Sequence, residues 1–419
     1  MNDYVTHLGC VSCGRTFEPD DSMMTCPACG EADGILDILF DLERISKMWK
    51  DDPLEDRPQN IWRYHELLPL DESRLPVHWQ VGWTPIINAK RLAAELGVEQ
   101  FLMKDDTRNP TASLKDRASS VGVTHAYQQA AKTIACSSTG NAATSLAGHA
   151  ALAGMPAVIF LPRHAPEPKL AQLLMYGATV FSVQGTYDEA YQLCSNACAE
   201  LGWYNRNCAI NPVLVEGKKT CGLEIAEQCM MANELPDWVV VSIGDGCTIA
   251  GIWKGLVEMY KMGLTDKLPR LLGVQSATVA PILHALRHEK LPTPNDKTTI
   301  ADSINVQVPR NWRKAVRALK ESRGSIAGVS DEQILEAMRV AGSHGVFAEP
   351  AAAAAVAGAI VAVNQGMISA HDRVLTVVTG SGLKDIKSAI QAGGKPLKIE
   401  PTIDAVRNAV ASAGINGDN

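Results

Sequence analysis

The chain has 419 residues, of which 46% are hydrophobic and 20% charged, and its formal net charge is −7. This composition is typical of a globular protein, and the length allows two or three domains. The acidic balance and the lack of a long basic run exclude nucleic acid as the main partner. The N-terminus has no basic-then-apolar leader, and no apolar run reaches the roughly 20 residues of a membrane span. We therefore expect a soluble, cytoplasmic protein with no membrane partner.

Two C-x-x-C pairs lie near the N-terminus, Cys10 with Cys13 and Cys26 with Cys29, and glycine follows each pair. Four thiolates at this spacing suit one tetrahedral Zn²⁺. Such a zinc is structural, because four sulfur ligands leave no open position for a substrate. Two redox pairs or loose thiols are the alternative interpretation. The other seven cysteines stand singly in apolar segments, as reduced buried thiols do in cytosolic proteins.

The rest of the chain predicts alternating strands and helices, which is an α/β fold. Residues 41–80 are charged, with Trp and Pro punctuation, and predict short helices and connectors. The predicted strands are AVIFL (157–161), ATVFSV (178–183), DWVVVSIG (237–244), RLLGVQS (270–276) and VLTVVTG (374–380). The predicted helices are PKLAQLLMYG (168–177), YDEAYQLCSNACAELG (187–202), IAGIWKGLVEMYKMG (249–263) and KDIKSAIQAGG (384–394). Short apolar strands separated by helices predict parallel sheets covered on both faces.

One lysine stands in an unusual setting, in the stretch RNPTASLKDRASS (108–120). Asn109-Pro110 breaks regular structure, because the proline ring fixes φ and disfavours helix at the residue before it. Thr111 or Ser113 is then expected to cap a helix that has Lys115 in or near its first turn. An ordinary capped helix with a solvated lysine is the alternative.

Three loops at predicted strand ends carry polar or glycine-rich sequence: ACSSTGNAATS (135–145), SIGDGCTIAG (242–251) and TGSGLKD (379–385). Ligands of such folds bind at the carboxyl ends of the strands. The second loop is no dinucleotide fingerprint, because Ile249 occupies the place of the third glycine. Its backbone N–H groups suit one phosphate monoester instead, although a tight turn without a ligand is the alternative. A lysine, a polar loop and a single-phosphate cradle together suggest pyridoxal phosphate.

Seven motifs in order resemble the threonine synthase family. They are VGWTPI (81–86), NPTASLKDR (109–117), SSTGNAATS (137–145), SIGDGCTIAG (242–251), TTIADSI (298–304), AEPAAAAA (348–355) and TGSGLKD (379–385). Members of this family are pyridoxal-phosphate enzymes of the tryptophan-synthase-β fold, also called fold type II. Some members carry a similar N-terminal cysteine segment. The resemblance covers nearly the whole chain.

The resemblance implies a role for particular residues. Lys115 is the lysine that bonds to the cofactor aldehyde and then acts as the base at Cα. Asn141 is expected to hydrogen-bond the ring O3′, and Thr379 to face the pyridine nitrogen. The residues expected to cradle the cofactor phosphate are Gly244, Asp245, Gly246, Cys247 and Thr248. Those expected to hold the substrate α-carboxylate are Ser138, Thr139 and Gly140.

The resemblance also implies a domain plan of two doubly wound domains with parallel sheets and a zinc-ribbon-like segment. We expect that segment at residues 1–40, and an extension with the start of the large domain at 41–110. The smaller α/β domain is expected at 111–207, and the large cofactor-binding domain at 208–419. A homodimer that acts on a small amino-acid substrate is the family expectation.

One segment departs from the family pattern at the positions that hold the substrate phosphate. The family sequence Asn-Ser-x-Asn-Pro-x-Arg is replaced here by CAINPVL (208–214). Cys208, Ala209 and Leu214 stand in the places of the Asn, Ser and Arg. Loss of the Arg–phosphate pair alone removes on the order of 2–3 kcal/mol of binding. We expect Lys218 or Arg206 to supply the missing cation.

Three functions are compatible with these residues. The first is threonine synthase, which converts O-phosphohomoserine and water into threonine and phosphate. The second is a sister enzyme that performs β-elimination or β-replacement on another amino acid, as a cysteate synthase or a serine/threonine dehydratase does. The third is a non-catalytic protein that has kept the fold. The presence of Lys115, Asn141 and Thr379 argues against the third, and the substrate-phosphate residues distinguish the first two.

Overall fold

The computed structural model describes residues 1–162, 167–208, 210–233 and 235–413. The strands are β1 (Val5–Cys10), β2 (Thr16–Phe17), β3 (Leu36–Phe40), β4 (Ile86–Asn88), β5 (Gln100–Asp105), β6 (Ile134–Ser137), β7 (Ala157–Pro162), β8 (Thr179–Val183), β9 (Tyr204–Asn205), β10 (Trp238–Ser242), β11 (Arg270–Ser276), β12 (Ser325–Val329) and β13 (Arg373–Val378).

The α-helices of the described residues are α1 (Gly30–Asp33), α2 (Leu42–Asp51), α3 (Lys90–Leu96), α4 (Lys115–Gln128), α5 (Asn141–Leu152), α6 (Glu167–Met175), α7 (Tyr187–Leu201), α8 (Val213–Met231), α9 (Cys247–Lys261), α10 (Pro281–His288), α11 (Trp312–Glu321), α12 (Asp331–Ser343), α13 (Pro350–Asn364), α14 (Ile386–Gly393) and α15 (Ile403–Ala413). Short 3₁₀ helices span Leu54–Asp56, Ile61–Leu67, Glu72–Arg74, Asp106–Arg108, Asp302–Ile304 and Gly382–Lys384.

The strands form three sheets. β1 pairs antiparallel with β2 and β3 in a small N-terminal sheet. A six-stranded sheet has the order β12-β11-β10-β13-β5-β4, and a four-stranded sheet has the order β8-β7-β6-β9. Strand pairs in these two larger sheets are parallel, except that the edge strand β4 runs antiparallel to β5. The predicted α/β fold with parallel sheets is confirmed, and β4 is an antiparallel addition.

The central strand β10 shows why these apolar runs form covered sheets. Its residues are all buried, and successive side chains point to opposite faces. Val239 and Val241 join the core that contains residues of α9, whereas Val240 joins the core that contains α13. Gly358 of α13 lies so close to Val274 that a Cβ would collide with it. Small residues therefore allow α13 to pack directly on the sheet.

The predicted elements are present with small shifts at their ends. The five predicted strands are β7, β8, β10, β11 and β13, and the predicted helices are α6, α7, α9 and α14. Residues 41–80 contain α2 and three 3₁₀ helices, as expected for short helices and connectors. The Ala-rich run 351–363 is the buried helix α13. Among the described residues, no helix combines the length and apolarity that crossing a membrane requires.

The N-terminal sheet is held by ion pairs and a hydrogen bond to helices α9 and α11. Asp37 of β3 forms ion pairs with Lys314, at 2.7 Å, and with Arg317. Lys254 of α9 donates a hydrogen bond at 2.5 Å to the carbonyl oxygen of Ile38. These contacts hold the sheet against the middle of α9 and against α11.

Candidate active site

Lys115 is the first residue of helix α4, and the loop before it is tied to the loop after β13. The backbone N–H of Leu114 donates to the carbonyl oxygen of Thr379 at 2.8 Å. The N–H of Ser381 donates in return to the carbonyl oxygen of Ala112 at 3.0 Å. Two segments that are far apart in sequence therefore meet at the lysine.

The predicted capping of α4 by Thr111 or Ser113 is wrong. The N-cap residue is Leu114, and no side chain caps the helix there. Asp116, in the first turn, instead accepts hydrogen bonds from the N–H of Thr111 at 2.7 Å and from its hydroxyl at 2.6 Å. It also accepts one from the hydroxyl of Ser145 at 2.7 Å. A carboxylate near a helix N-terminus is stabilised by the helix dipole, and this one ties the preceding loop and α5 to the first turn of α4.

Arg117 anchors the same helix in the protein interior. Its guanidinium is fully buried between two carboxylates, Asp106 at 2.7 Å and Glu224 at 2.5 Å. Glu224 also pairs with the buried Lys104 at 2.8 Å. Buried charged groups are tolerated only when they are paired and hydrogen-bonded, and this network meets that condition. The Asp-Arg pair of the motif is therefore structural, and it holds α4 against α8.

A cavity of about 480 Å³ lies at the carboxyl ends of β6, β10 and β13. The structure brings all twelve residues predicted for the cofactor and the substrate into its lining: Lys115, Ser138, Thr139, Gly140, Asn141, Lys218, Gly244, Asp245, Gly246, Cys247, Thr248 and Thr379. The four cysteines predicted as metal ligands lie elsewhere, in and near the N-terminal sheet.

The amine of Lys115 is prepared for reaction at neutral pH. Burial, together with the positive charges of Lys218 and Arg206, lowers its pKa to about 8. A lysine with an ordinary pKa near 10.5 is almost wholly protonated at pH 7 and has no free electron pair. The lowered pKa therefore gives Lys115 both nucleophilic and basic character.

Glycine allows the loop after β10 to pack closely against the segment before α11. Gly246 has a φ of +96°, and a Cβ there would lie 2.7 Å from the carbonyl oxygen of Asn311. The side chain of Asp245 turns away to accept the backbone N–H of Arg310 at 2.7 Å. The first N–H groups of α9 have no partner within the helix, so they can bind an anion.

Asn141 and Glu349 meet at the cavity wall. The side-chain amide of Asn141 donates to Glu349 at 2.7 Å, and its Oδ1 atom has no hydrogen-bond partner in the part of the chain that the structure describes. Burial raises the pKa of Glu349, although the nearby Lys169 opposes this shift. The sequence motif AEPAAAAA contained Glu349 but suggested no role for it. An unpaired buried amide oxygen in the cavity fits a bound polar ligand.

Sequence reasoning also missed the residues that bridge the cavity from two sides. The guanidinium of Arg310 stacks over the ring of Tyr191, 3.9 Å from its centroid, and lies 4.0 Å from Asp188. Tyr191 and Asp188 belong to α7, which packs on the four-stranded sheet, whereas Arg310 precedes α11. No sequence motif marks these residues, because only the fold brings them together.

The segment that departs from the family pattern is partly inside the cavity and partly outside it. Cys208 lines the cavity, and its sulfur lies 2.7 Å from the ammonium of Lys218. Leu214 is fully buried and packs on Gly122 of α4, outside the cavity lining. Ala209 lies outside the described residues. Cys208 is therefore not one of the inert core thiols that the sequence suggested.

The four N-terminal cysteines have the geometry of a metal site. Their sulfur atoms all lie within 4.8 Å of one another, and Cys10–Cys29 and Cys13–Cys26 are each 3.8 Å apart. Tetrahedral zinc with bonds of roughly 2.3 Å requires sulfur atoms about 3.8 Å apart. The cluster is therefore compatible with one Zn²⁺ ion.

Comparison with known proteins agrees with the cofactor that the residues of this cavity suggest. A family described as "Pyridoxal-phosphate dependent enzyme" matches residues 79–380, which include the whole cavity. The fold and the site together define a pyridoxal-phosphate-dependent enzyme. A threonine synthase of Methanosarcina acetivorans is 38% identical over 96% of this chain and 98% of its own. One of Methanocaldococcus jannaschii is 37% identical over 95% of this chain and 98% of its own. The chain belongs to the threonine synthase family.

Solved structures with lower identity share the fold. Threonine deaminase isoform 2 from Solanum lycopersicum has a TM-score of 0.62 at 19% identity, covering 80% of this chain and 84% of its own. Maize serine racemase has a TM-score of 0.63 at 21% identity, covering 74% and 91%. At these identities the likeness concerns the fold alone, and it agrees with the parallel sheets described above.

Proposed function

We propose that the protein is a lyase that converts O-phosphohomoserine and water into threonine and phosphate. The observation that supports this most is the single cavity in which twelve residues matching the family's motifs converge around Lys115. The membership of the threonine synthase family supports the same reaction. In this reaction the phosphate leaves Cγ of the substrate and water adds at Cβ.

The cavity fits pyridoxal phosphate, which supplies an aldehyde for a lysine and a ring that withdraws electrons from Cα of the substrate. Lys115 would bond to the aldehyde and then hold or move the proton at Cα of the substrate. Gly244, Asp245, Gly246, Cys247 and Thr248 would cradle the cofactor phosphate. Asn141 would hold the ring at its oxygen substituent. Thr379 would offer a hydroxyl instead of a carboxylate to the ring nitrogen, which would leave that nitrogen largely unprotonated.

The substrate is held at two ends in this proposal. Ser138, Thr139 and Gly140 precede α5 and line the cavity, so the N-terminal N–H groups of that helix can bind the α-carboxylate. Lys218 is buried on the cavity wall and holds the substrate phosphate. This lysine takes the place of the family arginine, whose position is occupied by the buried Leu214.

The second candidate is a sister enzyme that performs β-elimination or β-replacement on another amino acid. The replacement of three phosphate-binding positions by Cys208, Ala209 and Leu214 favours it, because none of these side chains is a fixed cation. The cofactor residues are the same in both candidates. The two candidates differ only in the substrate side chain that the cavity accepts near Cys208 and Lys218.

An assay of the purified enzyme with several amino acids distinguishes the two. We expect O-phosphohomoserine to release phosphate and yield threonine, and O-phosphoserine, serine and threonine to react slowly. Lys115→Ala is the matched control and should abolish turnover. Turnover of one of the other amino acids, with no phosphate released from O-phosphohomoserine, would instead support the sister enzyme.

We further propose that the cysteine cluster binds a structural zinc ion, and that the chain is divided at residues 1–40, 41–110, 111–207 and 208–419. The four-stranded sheet and its helices fall in the third part, which supports this division. A homodimer in the cytoplasm is the assembly and location that the family resemblance supports. The eleven free cysteines agree with a reducing compartment.

A further inference from the structure

Glu349 is a buried side chain on the cavity wall, at a point where three segments of the chain meet. It is 3% exposed and lies at the start of α13. Its backbone N–H donates to the carbonyl oxygen of Gly380 at 2.9 Å. Its Oε1 atom accepts from the side-chain amide of Asn141 at 2.7 Å and from the hydroxyl of Ser303 at 3.4 Å. Glu349 therefore joins α5, the 3₁₀ helix at Asp302–Ile304 and the loop after β13.

The side chain of Glu349 has neither of the usual structural roles of a buried carboxylate. Glu349 is the N-cap residue of α13, but its side chain makes no capping hydrogen bond. In the described residues no cation lies within ion-pair distance of it, and the nearby Lys169 pairs with Asp302 at 2.8 Å. Interior carboxylates that do pair with cations include Glu66, Asp106, Glu216 and Glu224. Burial of a carboxyl group without a cation costs free energy, so its place beside Asn141 indicates a role at the cavity.

Gly380 confines the hydrogen-bonded pair of Glu349 and Asn141. A Cβ at position 380 would lie 2.5 Å from Oε1 of Glu349 and 3.0 Å from Nδ2 of Asn141. The backbone of the loop after β13 therefore packs on both atoms of the hydrogen bond, and only glycine permits this close approach. Because neither side chain has room to move toward this loop, the contact between them has a fixed geometry.

The contact with Glu349 fixes the orientation of the Asn141 amide. The amide nitrogen carries two hydrogen atoms, and the carboxyl oxygen accepts one of them. Rotation of the amide by half a turn would place Oδ1, an acceptor, against the acceptor oxygen of Glu349. A contact between two acceptors loses the hydrogen bond and adds repulsion, so the observed orientation is selected. The second N–H of the amide therefore remains available to a ligand in the cavity.

We propose that Glu349 is a positioning residue that holds the Asn141 amide with its second N–H directed to the oxygen substituent of the cofactor ring. Glu349 acts through Asn141, and the loop at Gly380 keeps both side chains in place. A hydrogen bond donated to this ring oxygen stabilises its anionic form, so the proton that it shares with the Lys115 nitrogen stays on the nitrogen. This role depends on the ring contact proposed for Asn141 and is independent of which amino acid reacts.

The visible absorbance of the holoenzyme tests this role, because the yellow form of the bound cofactor has the shared proton on the nitrogen. Glu349→Gln replaces the carboxyl group by an amide, which both donates and accepts and so permits both orientations of Asn141. At equal cofactor content, this variant should lose part of its yellow band to the near-ultraviolet. Equilibrium dialysis should show pyridoxal phosphate bound about three- to tenfold more weakly, as for the loss of one hydrogen bond. An unchanged spectrum would overturn the proposal.

Asp302→Asn is the matched control for the charge of the cavity wall. It removes one carboxylate from the same wall, but this carboxylate pairs with Lys169. The absorbance spectrum of this variant should equal that of the unmodified enzyme. An equal loss of the yellow band in Asp302→Asn and Glu349→Gln would show that only the charge of the wall matters, which contradicts a positioning role.

Gly380→Ala perturbs the same pair without removing a polar group. The added Cβ displaces Oε1 of Glu349 and Nδ2 of Asn141, so the yellow band should weaken as it does in Glu349→Gln. This variant keeps the proposal testable if Glu349→Gln does not fold. A folded Gly380→Ala enzyme with the full yellow band would refute the role assigned to Glu349.

Exchange of the two partners separates positioning from simple pairing. In the double variant Glu349→Gln with Asn141→Asp, the amide and the carboxylate trade places and can form the hydrogen bond again. The melting temperature lost in Glu349→Gln should be regained. The yellow band should not be regained, because position 141 then offers no N–H to the ring. Recovery of the full yellow band in the double variant would reduce Glu349 to a structural partner and overturn the proposal.

Asn141→Ala separates failure of this role from failure of the proposed ring contact. If this variant retains the full yellow band, the ring contact and the role of Glu349 are both wrong. If it loses the band while Glu349→Gln retains it, the ring contact stands and the role of Glu349 is wrong. If both variants lose the band but the unmodified enzyme does not turn over O-phosphohomoserine, the role of Glu349 stands and the proposed reaction fails.

Discussion

Ala112 illustrates how a single residue departs from the conformation it prefers. It lies in the turn before Lys115 with a φ of +62°, in the left-handed region. There a Cβ crowds the following carbonyl oxygen at a cost of roughly 1–2 kcal/mol. The threonine synthase motif that this segment resembles has glycine at this place. The surrounding backbone hydrogen bonds to the loop after β13 hold the strained turn in position.

Ala112→Gly should therefore stabilise the protein. Glycine removes the strain energy of the turn, but it also stabilises the unfolded state through its larger conformational entropy. Because the first effect is larger, the free energy of unfolding should rise by about 0.5 kcal/mol. Urea denaturation of the two proteins measures this difference. Ala118→Gly is the matched control, because Ala118 lies inside α4, where glycine costs about 1 kcal/mol. A loss of stability at position 112 would show that the turn is not strained.

The residues of the cavity were predictable to the extent that they belong to local motifs. Lys115, Asn141 and the loop 244–248 each follow a recognisable pattern of turn, polar residue and helix start. Arg206 was expected only as an alternative to Lys218 for the substrate phosphate, and Cys208 was grouped with the buried thiols. Only the fold shows that Arg206 donates to Ser119 and that the sulfur of Cys208 lies 2.7 Å from the ammonium of Lys218.

At the scale of elements, the buried network around Arg117 determines where α4 begins. Arg117 and its two carboxylates come from the 3₁₀ helix at Asp106–Arg108, from α4 and from α8. The backbones of α4 and α8 approach so closely that a Cβ on Gly217 would collide with the carbonyl oxygen of Arg117. The position of Lys115 therefore depends on charges that never contact a ligand.

Arg117→Met should destabilise the protein strongly. It leaves Asp106 and Glu224 buried without their partner, which costs about 3–5 kcal/mol of unfolding free energy. Arg339→Met is the control, because both partners of its ion pair with Glu336 are exposed and the pair contributes at most about 1 kcal/mol. Thermal unfolding of both variants measures the contrast. Equal melting temperatures would contradict the assigned role of Arg117.

Strands and helices of the larger sheets were predictable because their apolar runs are long and bounded by glycine. The antiparallel direction of β4 was not, since it has only three residues and no pattern of its own. The prediction of a Thr or Ser cap on α4 failed for a related reason. Both residues satisfy the local rule, but in the folded turn Thr111 donates to the carboxylate of Asp116, and the hydroxyl of Ser113 makes no hydrogen bond with the described residues.

At the scale of the whole molecule, the chain joins a small N-terminal sheet to a large enzyme core. The four clustered cysteines lie in and beside this sheet, and Asp37 forms an ion pair that joins the sheet to α11. The knuckle glycines Gly14 and Gly30 have φ values of +74° and +70°, and their N–H groups donate to the carbonyl oxygens of Cys10 and Cys26.

Zinc removal should affect this sheet and leave the active site intact. Elemental analysis should find one zinc per chain in protein purified without chelator. Removal of the metal should make residues 1–40 sensitive to protease while the yellow colour of the cofactor remains. This separation is expected because the residues lining the cavity begin at Lys115. Protein without bound metal would contradict the zinc assignment.

The central claim is that Lys115 carries the cofactor, and reduction with borohydride followed by peptide mapping tests it most directly. Reduction makes the bond between the lysine and the cofactor permanent, so the modified residue is identified by mass. Lys384 is the natural rival, because burial also lowers its pKa to about 8 and it lies in the adjacent loop 379–385. We expect a modified peptide that contains Lys115, with Lys384 unmodified. Modification of Lys384, or a colourless protein with Lys115 unmodified, would contradict the assignment of Lys115.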